Sequence, residues 1–143
     1  MNKKQNDAII EIIESFRSET HNIAILVPWK SDVQVFENVL EGNVDDFSLY
    51  YEDKERFPDG CATIKNVHIT TFKSAKGLEF DTVFLPFANE GEVPPKQCST
   101  TEAIEEERRM FYVAVTRAKK QLVIMYVRNA QDAPSRFITK LLK

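Results

Sequence analysis

Ile23-Ala-Ile-Leu-Val27, closed by Pro28, is the stretch that decides the fold. A short, unbroken apolar run that stops at a proline reads as a strand covered on both faces, the habit of a parallel sheet. On its N-terminal side, Ile9, Ile12, Ile13 and Phe16 recur at helical spacing with Glu11 and Glu14 opposite them, predicting a helix over Ala8–Phe16. On its C-terminal side, Ser31 or Asp32 is placed to cap a second helix, with Val35, Phe36, Val39 and Leu40 inward and Gly42 as its stop.

Further on, Phe47–Tyr51, Val67–Thr71, Thr82–Leu85 and Gln121–Val127 read as strands. Residues 52–65, with Pro58-Asp-Gly60, and residues 90–101, with Gly91, Pro94 and Pro95, read as loops. Residues 102–115 form a long helical pattern that Thr100 or Thr101 would cap, and Pro134–Leu142 reads as a closing helix. Strands and helices alternate, so the expected class is α/β, a doubly wound, mostly parallel sheet with helices on both faces. Ligands of such sheets meet the loops at the carboxyl ends of the strands.

A chain of 143 residues, 43% hydrophobic and 29% charged, fits one domain with a core of its own. The net charge of −3 argues against a dedicated, free-standing nucleic-acid binder, without excluding a basic patch inside a larger protein. Cys61 and Cys98 form no C-x-x-C pair and His21 and His68 stand alone, so no metal site is expected. So few cysteines fit a reducing cytoplasm. Met1–Asp7 is polar, and no run reaches the ~18 apolar residues of a membrane span, so a cytoplasmic location away from the membrane is expected.

Two segments carry chemistry. In Thr71-Phe-Lys-Ser-Ala-Lys-Gly-Leu-Glu-Phe-Asp81, a link between two strands too short for a helical crossover, Lys73 and Lys76 suit phosphate oxygens. Gly77 permits close backbone approach, and Glu79 can accept from a sugar hydroxyl. The same composition also describes a solvated connector. In Glu105-Glu-Glu-Arg-Arg-Met-Phe-Tyr-Val-Ala-Val-Thr-Arg-Ala-Lys-Lys120, Glu105 and Arg109 have i,i+4 spacing, and Phe111, Ala114 and Val115 supply an inward stripe. Arg117 arrives at the helix end, where it either projects at an anion or, with Lys119 and Lys120, complements the helix dipole. None of the four glycines belongs to a G-x-x-x-x-G-K-[ST] phosphate loop, and no acidic pair ends an apolar strand to hold magnesium. A complete nucleotide-hydrolysing site is therefore not expected.

Ile69-Thr-Thr-Phe-Lys-Ser-Ala-Lys-Gly-Leu-Glu-Phe-Asp-Thr-Val-Phe-Leu85 resembles motif V of superfamily-one helicases of the UvrD/Rep/PcrA kind. The stretch Glu105–Leu122 resembles their motif VI, and Ile23–Asp32 sits where motif IV would begin. Glu90-Gly-Glu-Val-Pro94 and Pro134-Ser-Arg-Phe137 resemble the family's connecting loop and closing segment, so the likeness runs over 23–142. It implies a RecA-like second motor domain over 23–143, behind an N-terminal helix and lead-in over 1–22, without the large accessory insertion of many members.

The resemblance also implies roles. ATP and Mg2+ would sit between this domain and a first motor domain that brings the phosphate loop and magnesium carboxylates, in cis or in trans. By the motif VI match, Arg117 is the arginine reaching the γ-phosphate. By the motif V match, Gly77 and Glu79 approach the nucleotide, while Thr71 and Lys73 touch single-stranded DNA. Thr116 and Lys76 are positioning candidates. The family's motif IV arginine falls at Pro28, with Lys30 as its stand-in, and its motif V histidine is Lys73 here. The expected function is the C-terminal motor domain of an ATP-dependent DNA helicase or translocase, unable to hydrolyse ATP alone. The alternative is a non-catalytic module that binds nucleic acid or protein.

Overall fold

The computed structural model describes residues 3–16, 22–41, 47–51, 54–56, 67–73, 75, 78–86, 88–126 and 132–141. In chain order these form α1 (Lys3–Phe16), β1 (Ile23–Val27), α2 (Lys30–Leu40), β2 (Phe47–Tyr51), β3 (Lys54–Arg56), β4 (Val67–Thr71), β5 (Phe80–Leu85), α3 (Thr101–Val115), β6 (Ala118–Ile124) and α4 (Arg136–Leu141). The sheet order is β3-β2-β4-β1-β5-β6. Neighbours from β2 to β6 run parallel, and β3 alone is antiparallel, on the β2 edge.

The run that decided the fold lies at the centre. All five residues of β1 are buried, between β4 and β5. Its side chains alternate between two cores because successive residues of a strand point to opposite faces. Ile23, Ile25 and Val27 pack with Ile9 and Ile13 of α1 and Phe36 and Leu40 of α2. Ala24 and Leu26 pack with Phe72, Phe111 and Phe137 on the other face. Each buried Ile, Leu, Val or Phe side chain among these contributes about 1.5–3 kcal/mol by leaving water.

Several expectations are corrected. Neither Ser31 nor Asp32 occupies the N-cap of α2: Trp29 stands there, and both lie inside the first turn, from which Asp32 reaches back to Trp29 N. The β1 register carries the chain only two residues past the sheet before the helix begins. Val35 is exposed, and Val33 takes the inward position with Phe36 and Leu40. A short strand, β3, lies within the stretch expected to be only loop, and β6 starts at Ala118 rather than Gln121. It starts early because the Phe80 N–H donates to the Arg117 carbonyl at 2.8 Å, drawing Ala118-Lys-Lys120 into the ladder. An edge strand accepts such lysines because they face solvent.

On α3, Thr100 caps as expected, its hydroxyl accepting from Ala103 N at 3.1 Å. The i,i+4 pair Glu105–Arg109 does not form; Arg109 pairs with Glu106 and Arg108 with Glu105, at i,i+3.

The chain beyond β6 closes over the second core. Arg136 meets the Glu90 carboxylate with both Nε and Nη2, and its N–H donates to the same group. The Ser135 hydroxyl donates to the Val93 carbonyl, and Asn89 Nδ2 donates to Ala133 O at 2.8 Å. Gly91 takes φ 92°, a region open to glycine, and that turn brings Glu90 round to Arg136.

Candidate functional site

The sequence-selected residues fall on two edges of the sheet rather than one. Arg117 and Glu79 stand just before β6 and β5, at the amino ends of those strands. Thr71 ends β4 level with Val27, and Lys73 follows, at the carboxyl ends. The short link 72–79 joins the two edges. Ala75 N donates to Thr71 O at 3.0 Å and Leu78 N to Ala75 O at 2.9 Å, and Ala75 is buried in the second core. Of the residues selected, Thr71 and Lys73 thus stand where the carboxyl-end expectation puts ligand contacts, and Arg117 and Glu79 stand at the opposite ends of their strands.

At the amino edge, the last turn of α3 delivers Arg117 half-buried. Its Nε donates to Val113 O at 3.1 Å, its Nη1 to Leu78 O at 3.1 Å and its Nη2 to Thr116 Oγ1 at 3.2 Å. Thr116 in turn donates its hydroxyl to Val113 O at 2.8 Å. Three acceptors, one each on Nε, Nη1 and Nη2, hold the guanidinium; one N–H on each Nη is left without an acceptor among the described residues. Glu79 is exposed directly after Leu78, so the two residues selected for the nucleotide are neighbours through the Leu78 carbonyl. Gly77 and Lys76 lie outside the described residues.

Sequence reasoning missed the group that holds this edge. Asp81 is 5% exposed, and its Oδ2 accepts from Asn22 N at 2.8 Å. Lys119 and Lys120 approach its Oδ1 at 3.9 and 3.6 Å. One carboxylate thus ties the start of β1 to β5 and β6. The signal was present, as the one charged residue in a strand that is otherwise apolar but for Thr82.

At the carboxyl edge, Phe72 N donates to Val27 O at 3.0 Å, continuing the β1–β4 ladder past the strands. Thr71 is buried and Lys73 is exposed. Lys30 is the first residue of α2, leaving from the same edge. Trp29, which the sequence reading passed over, is 41% exposed there.

Residues 2–129 match the UvrD-like helicase C-terminal domain family. This chain belongs to that family. Among curated relatives, a probable DNA helicase II homolog of Rickettsia conorii is 44% identical over 161 aligned positions, covering 94% of this chain and 24% of that protein. The ATP-dependent DNA helicase Rep of Buchnera aphidicola is 43% identical over 82 positions, 52% of this chain and 12% of that protein. The chain thus spans about a quarter of the R. conorii relative's length.

Among solved structures, the C-terminal domain of a possible DNA helicase from Lactobacillus plantarum superposes with a TM-score of 0.67 at 20% identity, covering 96% of this chain and 73% of that one. The C-terminal domain of the DEAD-box protein Dbp5 gives 0.54 at 17% identity, over 90% of this chain and 72% of that one. The fold of this UvrD-like domain is accordingly that of a RecA-like helicase C-terminal domain. Among the described residues, no helix is long and apolar enough to cross a membrane.

Proposed function

We propose that this UvrD-like domain acts as the second motor domain of an ATP-dependent helicase or translocase on single-stranded DNA. Its amino edge faces the nucleotide and its carboxyl edge faces the strand. The observation that carries the reading is the guanidinium of Arg117, held by Val113 O, Leu78 O and Thr116 Oγ1 with one N–H on each Nη still open to a ligand.

A planar, permanently charged donor held in this way is preorganised for charge that develops on a phosphoryl group in the transition state. Arg117 is therefore the arginine finger, reaching ATP bound with Mg2+ on a first motor domain. That partner supplies the phosphate loop and the magnesium ligands that this sequence lacks. Glu79, exposed beside it, accepts from the sugar side of the nucleotide, and Gly77 gives the link its close approach. At the opposite edge Lys73 and Lys30 take strand phosphates, and Thr71 fixes the level of that contact.

The test is Arg117→Ala in the complete helicase. DNA-stimulated ATP turnover should fall by roughly 10³–10⁵-fold, the range for such arginines, while nucleotide affinity changes only a few-fold. Turnover at the parent rate would overturn the assignment.

A further inference from the structure

Trp29 is the only tryptophan in the chain, and it occupies a position that helix chemistry disfavours. An N-cap ordinarily carries Ser, Thr, Asp or Asn, whose side-chain oxygen accepts from the first turn. An indole has a donor and no acceptor. Trp29 keeps the extended backbone of a cap (φ −125°, ψ 148°) without supplying its side-chain bond. The capping contact comes instead from Asp32, whose Oδ2 accepts from Trp29 N at 3.2 Å. Burial accounts for only part of the residue, because 41% of its surface remains exposed. A large aromatic left this open at a position that helix chemistry disfavours points to a role beyond folding.

Its surroundings say what that role is. Trp29 leaves the sheet two residues beyond Val27, and Lys73 leaves two residues beyond Thr71; Val27 and Thr71 are paired across neighbouring strands. Trp29 and Lys73 thus leave the same edge from paired strands, and Asp32, in the first turn behind Trp29, has Glu92 near enough for the two carboxylates to repel. A phosphate is favoured at Lys73 and disfavoured at the carboxylates, which leaves the indole for an uncharged, flat group.

Resting on the nucleic-acid reading above, we propose that Trp29 is a stacking platform for one base of a single strand whose adjoining phosphate lies on Lys73. Every base has a π-face, so the contact adds affinity without sequence preference.

The sole tryptophan is also its own reporter. The full chain is titrated with a dye-labelled oligothymidylate at low salt, where phosphate contacts are strongest. Anisotropy of the dye and emission of the indole are read together. The expected result is indole quenching that saturates with the anisotropy, roughly 5- to 150-fold weaker binding for Trp29→Ala, and near-parent binding for Trp29→Phe. Saturable anisotropy with unchanged indole emission and undiminished Trp29→Ala affinity overturns the platform while leaving the nucleic-acid reading intact. No change in anisotropy at any concentration removes both.

Discussion

Arg117 and Leu78 meet across 39 residues of chain, guanidinium Nη1 donating to carbonyl oxygen at 3.1 Å. The next residues return the bond, Phe80 N donating to Arg117 O at 2.8 Å. The end of α3 and the start of β5 are thus locked in both directions. A side chain anchored to backbone at Val113 and Leu78 has little freedom to wander, and its direction is set by the end of α3 and the approach to β5.

The weakest of its three anchors is the only one made by a side chain. Thr116→Val removes the acceptor for Arg117 Nη2 while keeping the shape. Losing one such hydrogen bond, worth about 1–1.5 kcal/mol, should lower turnover of the complete helicase by about tenfold, and Thr116→Ser should restore it. Because Thr116 is exposed, the melting temperature should barely move. Steady-state turnover beside a thermal melt checks this, and a parent-like rate for the valine variant would show that the backbone anchors suffice.

Phe137 plugs the second core. It is fully buried, its ring lies 5.6 Å from that of Phe111, and Arg108 sits 5.7 Å above it. Phe137→Ala should destabilise the chain by about 3–5 kcal/mol, measured by urea unfolding. A loss below about 1 kcal/mol would mean that α4 contributes little to the core.

Asp32 gives a pH signature. Its carboxyl is pushed above the ordinary 3.8, first by burial, with Glu92 adding repulsion, against the lowering bond from Trp29 N. Folding therefore favours the protonated form, and as pH rises from 3.8 through the raised value Asp32 withdraws stability. Asp32→Asn keeps an acceptor for Trp29 N and carries no charge. Relative to it, the parent should lose stability with rising pH across that window and then level off. Melting temperatures of both proteins from acid to neutral pH check this, and a flat difference would refute it.

At Gly91, φ 92° puts any Cβ in a strained backbone region and 3.0 Å from Lys96 Cε. Gly91→Ala should cost about 1–2 kcal/mol. Adding Lys96→Ala should recover little of it, since the flexible lysine end can move aside and the strain is in the backbone. Full rescue by the double variant would place the strain in the side-chain contact instead.

The parallel sheet was legible because β1 is apolar throughout, Val83-Phe-Leu85 closes β5 as an apolar run, and α3 carries a capping threonine followed by a helical stripe. Arg117 and Glu79 stood out through their motifs. Three things were hidden. Trp29 as a cap contradicts local propensity, so propensity pointed to Ser31 and Asp32. The early start of β6 depends on a tertiary bond from Phe80, which no local pattern encodes. The division of the site between two edges depends on register, since residues 72–79 are contiguous in sequence yet span from the end of one strand to the start of another.

The two margins of the sheet are finished differently. Beyond β2 lies the antiparallel β3, and at the far side β6 shows Lys119, Lys120 and Gln121 to solvent. An open strand margin invites another chain to add to it, and lysines resist that by mutual repulsion between copies. Self-association by sheet extension is therefore discouraged at the β6 margin.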